Sequence, residues 1–110
     1  MQQYLQHTEV LFEVETPLSK KIRTHKNYWD KITKEKHIEF SYALNDVQEI
    51  LTHPDEIRKS IKDDTIHIYY KKITRHTLIC VVKTLNGEGF IVTVYQTSKP
   101  KPKGELLWPK

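Results

Sequence analysis

Two hydrophobic periods divide the chain. Leu44, Val47, Ile50 and Leu51 recur at the spacing of one face of an α-helix. His53-Pro54 ends that helix or restarts it as a short turn, because the residue before a proline is pushed out of the helical region. Ile57 is then expected to pack back on the same core. From Ile66 the period falls to two. Over residues 66–71, Ile66, Ile68 and Tyr70 form one face and His67, Tyr69 and Lys71 the other. Residues 77–83 are apolar on both sides at their centre, the profile of an interior strand. Asn86-Gly87-Glu88-Gly89 supplies a hairpin turn, and residues 90–97 alternate again. Phe90, Val92 and Val94 are predicted to point inward, with Thr93, Tyr95, Thr97 and Lys99 on the opposite face. Upstream, Val10–Glu15 reads as a short strand, and Thr16-Pro17 turns the chain toward Ile22. Leu11, Phe12 and Val14 complete the core or a dimer edge. Asn27 is an N-cap with Asp30 three residues on, opening a first helix with Trp29 and Ile32 on one face that ends near His37.

Helices followed by an antiparallel meander predict an α+β domain in which the helices cover one face of the sheet. The 110 residues (13.1 kDa) fit a single domain over 1–110. Apolar residues at 37% and charged residues at 29% allow a small core, and Tyr, Ile and Val in periodic runs argue against wholesale disorder. The longest purely apolar run, residues 78–82, is far short of a membrane span, and the first residues lack a basic-then-apolar leader. Cys80 is the single cysteine, so neither an intrachain disulfide nor a thiolate zinc cage forms. The expectation is a soluble cytoplasmic protein with no membrane partner. Its oligomeric state is not encoded legibly.

Charge changes the picture. Residues 1–57 carry a net −3 and residues 58–110 a net +7, the electrostatic footprint of a partner bearing phosphates or carboxylates. A solvated surface of uneven charge is the plainer account. With the helices on one face, His67, Tyr69, Lys71, Thr93, Tyr95, Thr97 and Lys99 are expected across the open one. Aromatic rings stack on bases, cations neutralise phosphates and hydroxyls bond to either, which suits RNA. Thr and Tyr are also simply good strand formers. The histidines show neither HExxH nor HxH spacing, and the three glycines form no phosphate-cradling loop, so no metal and no cofactor is expected. Cys80, inside a central strand, is a poor nucleophile. What remains is metal-free chemistry. RNA cleavage by its own 2′-hydroxyl needs a base, an acid and a stabiliser of the pentacovalent phosphorane. His37 suits base or acid, Arg58 the oxyanion, and Tyr95 with Thr93 the positioning of the phosphate. Lys99-Pro100-Lys101-Pro102-Lys103 is extended by its prolines. It either reaches along a phosphate backbone or serves as a basic connector to Trp108.

The order of these parts resembles the BECR superfamily of small nucleases (barnase, EndoU, colicin tRNases, RelE), especially its phage- and bacterial-associated uncharacterised branches. The matching features are a helix closing in Lys36-His37, then Val47-Gln48-Glu49-Ile50-Leu51 running into Thr52-His53-Pro54-Asp55-Glu56-Ile57. Arg58-Lys59-Ser60, a Tyr69-Tyr70 strand, residues 89–97 and Gly104-Glu105 before Trp108 follow, over about residues 18–108. The resemblance implies two N-terminal helices packed on one face of a four-stranded antiparallel sheet, here with a short N-terminal strand or hairpin. It implies a metal-independent endoribonuclease, a toxin of a toxin–antitoxin or conflict system, with RNA as substrate and an antitoxin or immunity protein as partner. It places the catalytic histidine at His37, the last-strand hydroxyl at Thr93 with Tyr95 beside it, and the basic residue at Arg58 or Lys71. His25 is the candidate for a second histidine. RNA-binding side chains are expected at Tyr69, Lys71, Thr97 and Lys99. The alternatives are a non-catalytic RNA- or protein-binding module of the same fold, and a small structural domain.

Overall fold

The computed structural model describes residues 10–27, 29–30 and 44–110. Strands β1 (Val10–Glu15) and β2 (Lys21–His25) form an antiparallel hairpin. Its turn is closed by Thr16 N–H donating to the Lys20 carbonyl at 2.9 Å and Ser19 N–H to the Thr16 carbonyl at 2.8 Å. Helix α1 (Leu44–Thr52) carries Asp46 in its first turn, where a carboxylate meets the positive end of the helix dipole. Val47, Ile50 and Leu51 are fully buried on one face, as their spacing predicts. His53 N–H donates to the Glu49 carbonyl at 2.7 Å before Pro54 stops the helix. Strands β3 (Glu56–Lys59), β4 (Ile66–Ile73), β5 (His76–Leu85) and β6 (Glu88–Thr97) follow as an antiparallel meander, and β7 (Leu106–Trp108) closes the order. The β5–β6 turn places Asn86 and Gly87 at φ 55° and 82°, the left-handed pair that a two-residue hairpin loop requires.

All seven strands lie in one sheet, in the order β1-β2-β6-β5-β4-β3-β7. Every neighbouring pair is antiparallel except β2–β6, a short parallel pairing of Lys21 with Glu88 and Ile22 with Gly89. Helix α1 packs on β1, β4 and β5, so the sheet curves around it. The core on this helix face joins Val47, Ile50 and Leu51 to Phe12, Ile22, Ile57, Tyr69, Leu78, Cys80, Val82, Ile91 and Val94. Burial of an aliphatic or aromatic side chain of this size contributes about 1.5–3 kcal/mol. Among the described residues no helix is long and apolar enough to cross a membrane.

The expectation of two helices on a four-stranded antiparallel sheet is therefore corrected. One helix packs beneath a seven-stranded mixed sheet among the described residues. The strands that went unread are short. In β2 and β3 the alternation yields a single apolar position each, Ile22 and Ile57, too little for a periodic signal. Strand β7 is made by its partner, through Lys59 N–H donating to the Glu105 carbonyl at 2.9 Å. Lys26, Asn27, Trp29 and Asp30 are helical, and the rest of the span expected to form the first helix, with His37, lies outside the described residues.

The face assignment also needs correction. In β4 the side chains on the helix face are His67, Tyr69 and Lys71, while Ile66, Ile68 and Tyr70 point away from it. In β6 a bulge opposite Val81 and Val82 inserts an extra residue. Ile91 and Val94 consequently both face the core, Val92 is the inserted position, and Phe90 turns outward, 42% exposed.

Candidate nucleic-acid interface

The outer face of the sheet is built in rows that the strand pairing dictates. One row runs Arg58, Ile68, Val81, Thr93 across β3, β4, β5 and β6, and the next runs Glu56, Tyr70, Ile79, Tyr95. Neighbouring strands stand about 4.8 Å apart, so Tyr70 and Tyr95 are about 10 Å apart at the backbone and flank Ile79. Arg58 and Thr93 occupy the two ends of their row, over an aliphatic floor.

Residues 98–105 complete the face. They connect β6 to β7, which lie on opposite sides of β5, β4 and β3, and so form a strap across the sheet. Its extended, proline-spaced chain sorts its side chains. Pro100 and Pro102 line one cavity with Tyr70 and Thr77, whereas Lys101 and Lys103 line another with Tyr70 and Tyr95. The strap lands at Gly104, whose φ is 93° and where a Cβ would lie 1.9 Å from the Lys59 carbonyl oxygen. Only glycine fits there. That landing brings the Gly104 carbonyl to Arg58, which donates to it from Nη1 at 2.9 Å and from Nε to Glu56.

A cavity of about 280 Å³ results, with Ile68, Tyr70 and Tyr95 as floor, residues 60–62 as one wall and Lys101 with Lys103 as the other. Tyr95 is 45% exposed and Tyr70 only 7%. Burial raises the Tyr70 phenol above its ordinary range, and Tyr95 and Glu56 add to the effect against the Lys103 backbone and Arg58. The Tyr70 phenol stays protonated, with its oxygen against the Lys103 backbone. Lys62, Lys101 and Lys103 form no ion pair among the described residues. The site thus offers cations, a phenol donor and aromatic faces on an apolar floor, the means of holding a phosphate beside an unstacked base.

Arg58, Thr93 and Tyr95 share this face, with Thr97 one step further along β6. Lys99 is exposed at the start of the strap, its N–H donating to Thr97 Oγ1 at 3.2 Å. Two expected contacts are not there. Tyr69 is fully buried against α1, and burial pushes its phenol up to about 12, which the nearby Thr16 hydroxyl only partly offsets. Lys71 is on the helix face, where Nζ donates to the His53 carbonyl at 2.8 Å. Of the two candidates for the basic residue, Arg58 is on the outer face and Lys71 is not. His25 lies apart, at the β2–β6 seam. Tyr70, Ser60 and Lys62 were missed as site residues. Tyr70 carried a usable signal, because it shares parity with Arg58 and Thr93 once β4 is paired correctly. Comparison with known families, with curated proteins and with solved structures yields no match to this chain.

Proposed function

We propose that the protein is a metal-independent endoribonuclease of the BECR type, acting as a toxin that an antitoxin or immunity protein restrains. The observation that supports it is a cavity the size of a nucleotide unit lined by Tyr70, Tyr95, Lys62 and two strap lysines, with Arg58 and Thr93 on the same sheet face. The resemblance of the sequence order to that superfamily supplies the chemistry.

In this reading Lys62, Lys101 and Lys103 draw the RNA backbone to the cavity, and the half-exposed ring of Tyr95 receives the flanking base. The 2′-oxygen attacks the adjacent phosphorus as the bond to the 5′-oxygen breaks, leaving a 2′,3′-cyclic phosphate. Charge on the phosphorane falls to Arg58, whose planar fork matches two phosphate oxygens. Thr93 and the Tyr70 phenol donate hydrogen bonds, and His37 moves the proton. One observation favours a second reading, an RNA-binding module without turnover. Arg58 already spends two donors on Glu56 and the Gly104 carbonyl.

Incubation of the purified protein with total RNA in EDTA, followed by analysis of product ends, separates the two. The nuclease reading expects cyclic phosphate ends, their disappearance in His37→Ala, and a fall of about 10²-fold or more in Arg58→Ala, the scale of losing one transition-state donor. RNA bound but intact at high protein concentration would establish the binding module instead.

A further inference from the structure

The parallel pairing of β2 with β6 ends after Ile22 and Gly89. Beyond it lies a second cavity of about 310 Å³, lined by Arg23, His25, Glu88, Gly89 and Phe90. Phe90 pairs with Lys83, on the same side as Val81 and its partner Thr93, so its exposed ring stands on the outer face. Phe90 and Tyr95 are five residue steps apart along the strand, a run of roughly 16 Å. Both cavities therefore open on one face, at the two ends of β6, with Thr93 between them.

We propose that this seam cavity is a nucleobase subsite for the same single RNA strand that crosses the lysine-walled cavity. The proposal rests on the RNA reading given above and adds a minimum length to the substrate. Phe90 offers a ring face for stacking. The Glu88 carboxylate accepts from a base's N–H edge, and the His25 ring nitrogens donate or accept beside it. Arg23 is held by Glu13 (Nη2 to Oε2, 3.0 Å), which fixes its fork while leaving N–H groups for a phosphate. A purely apolar ligand would leave those polar groups unpaired. Sheets that read single strands engage two or three bases through such spaced aromatics. A duplex cannot enter, because its bases are already stacked on each other.

The test uses 2′-O-methyl oligonucleotides, which bind without a nucleophilic 2′-hydroxyl, at lengths of two, four and six, with a mononucleotide alongside. Wild-type affinity should rise about tenfold between dimer and tetramer beyond the general electrostatic gain, the value of one stacked base. Phe90→Ala should erase that step while leaving the dimer's affinity alone, and Phe90→Trp should keep it. Unchanged tetramer and hexamer binding in Phe90→Ala overturns the subsite. A mononucleotide that binds as tightly as the hexamer, and loses its affinity in Phe90→Ala, also overturns it in favour of a free nucleotide. Absence of binding at every length overturns both the subsite and the RNA reading. A length step intact in a protein that cuts no unmodified RNA removes only the nuclease assignment.

Discussion

His67 is 8% exposed on the helix side of β4, its Nδ1 without a hydrogen-bond partner and its charge opposed by Lys20 and Lys59. Burial first, and those two lysines next, lower its affinity for a proton below that of an exposed imidazole. The unfolded chain then binds more protons than the folded one below about pH 6.5, so stability is intact above that value and falls as the solution is acidified through it. Asp63 and Glu105, held low by Thr65 and by Lys59 respectively, give up their contribution only at more acidic pH. Urea midpoints at pH 7.5 and 5.5 should therefore converge in His67→Leu relative to wild type. An equal acid shift in the variant would refute the assignment. Cys80 follows the same logic. Fully buried, its thiol is pushed far above the ordinary range and is inert in the folded state.

At the scale of elements, the strap depends on one backbone position. Gly104→Ala forces a methyl group against the Lys59 carbonyl at a left-handed φ. The expected loss is about 2 kcal/mol or more in chemical denaturation. RNA affinity should fall as well, because Lys101, Lys103 and the Gly104 carbonyl on Arg58 move together. A variant with wild-type stability and affinity would show that the strap is anchored elsewhere. The strap also explains what was hidden in the sequence. Val47, Ile50 and Leu51 are legible because α1 has one buried side. Strand β4 is covered on both, by α1 and by residues 98–105, so its isoleucines gave no sign of which face met the helix. Phe90 and Val92 went the same way, since a bulge shifts parity without any change in composition. Arg58, Thr93 and Tyr95 were legible together because the first lies in a short basic run and the others on the far side of an alternating strand.

Among the described residues of the molecule one sheet packs on helix α1, and the core is continuous from Phe12 to Val94. Leu51→Ala or Ile57→Ala should cost about 2–5 kcal/mol, with the cavity left unfilled because strands from both halves of the chain line it. Cys80 lies at the centre of that core, paired across the sheet with Tyr69 and Val94. A thiol reagent should label it only at the rate of unfolding, and Leu51→Ala should speed labelling. Fast labelling under native conditions would mean that β5 opens without the rest.

Six of the seven strands precede the strap in chain order. During synthesis the helix and meander are made first, and Lys101 and Lys103 follow only afterwards. A nascent chain that ends at Thr97 has both tyrosines and Lys62 but neither strap lysine and no carbonyl to orient Arg58. In the RNA-cutting reading proposed above, the parts that wall the cavity from the strap side and orient Arg58 are thus the last of the site to be made.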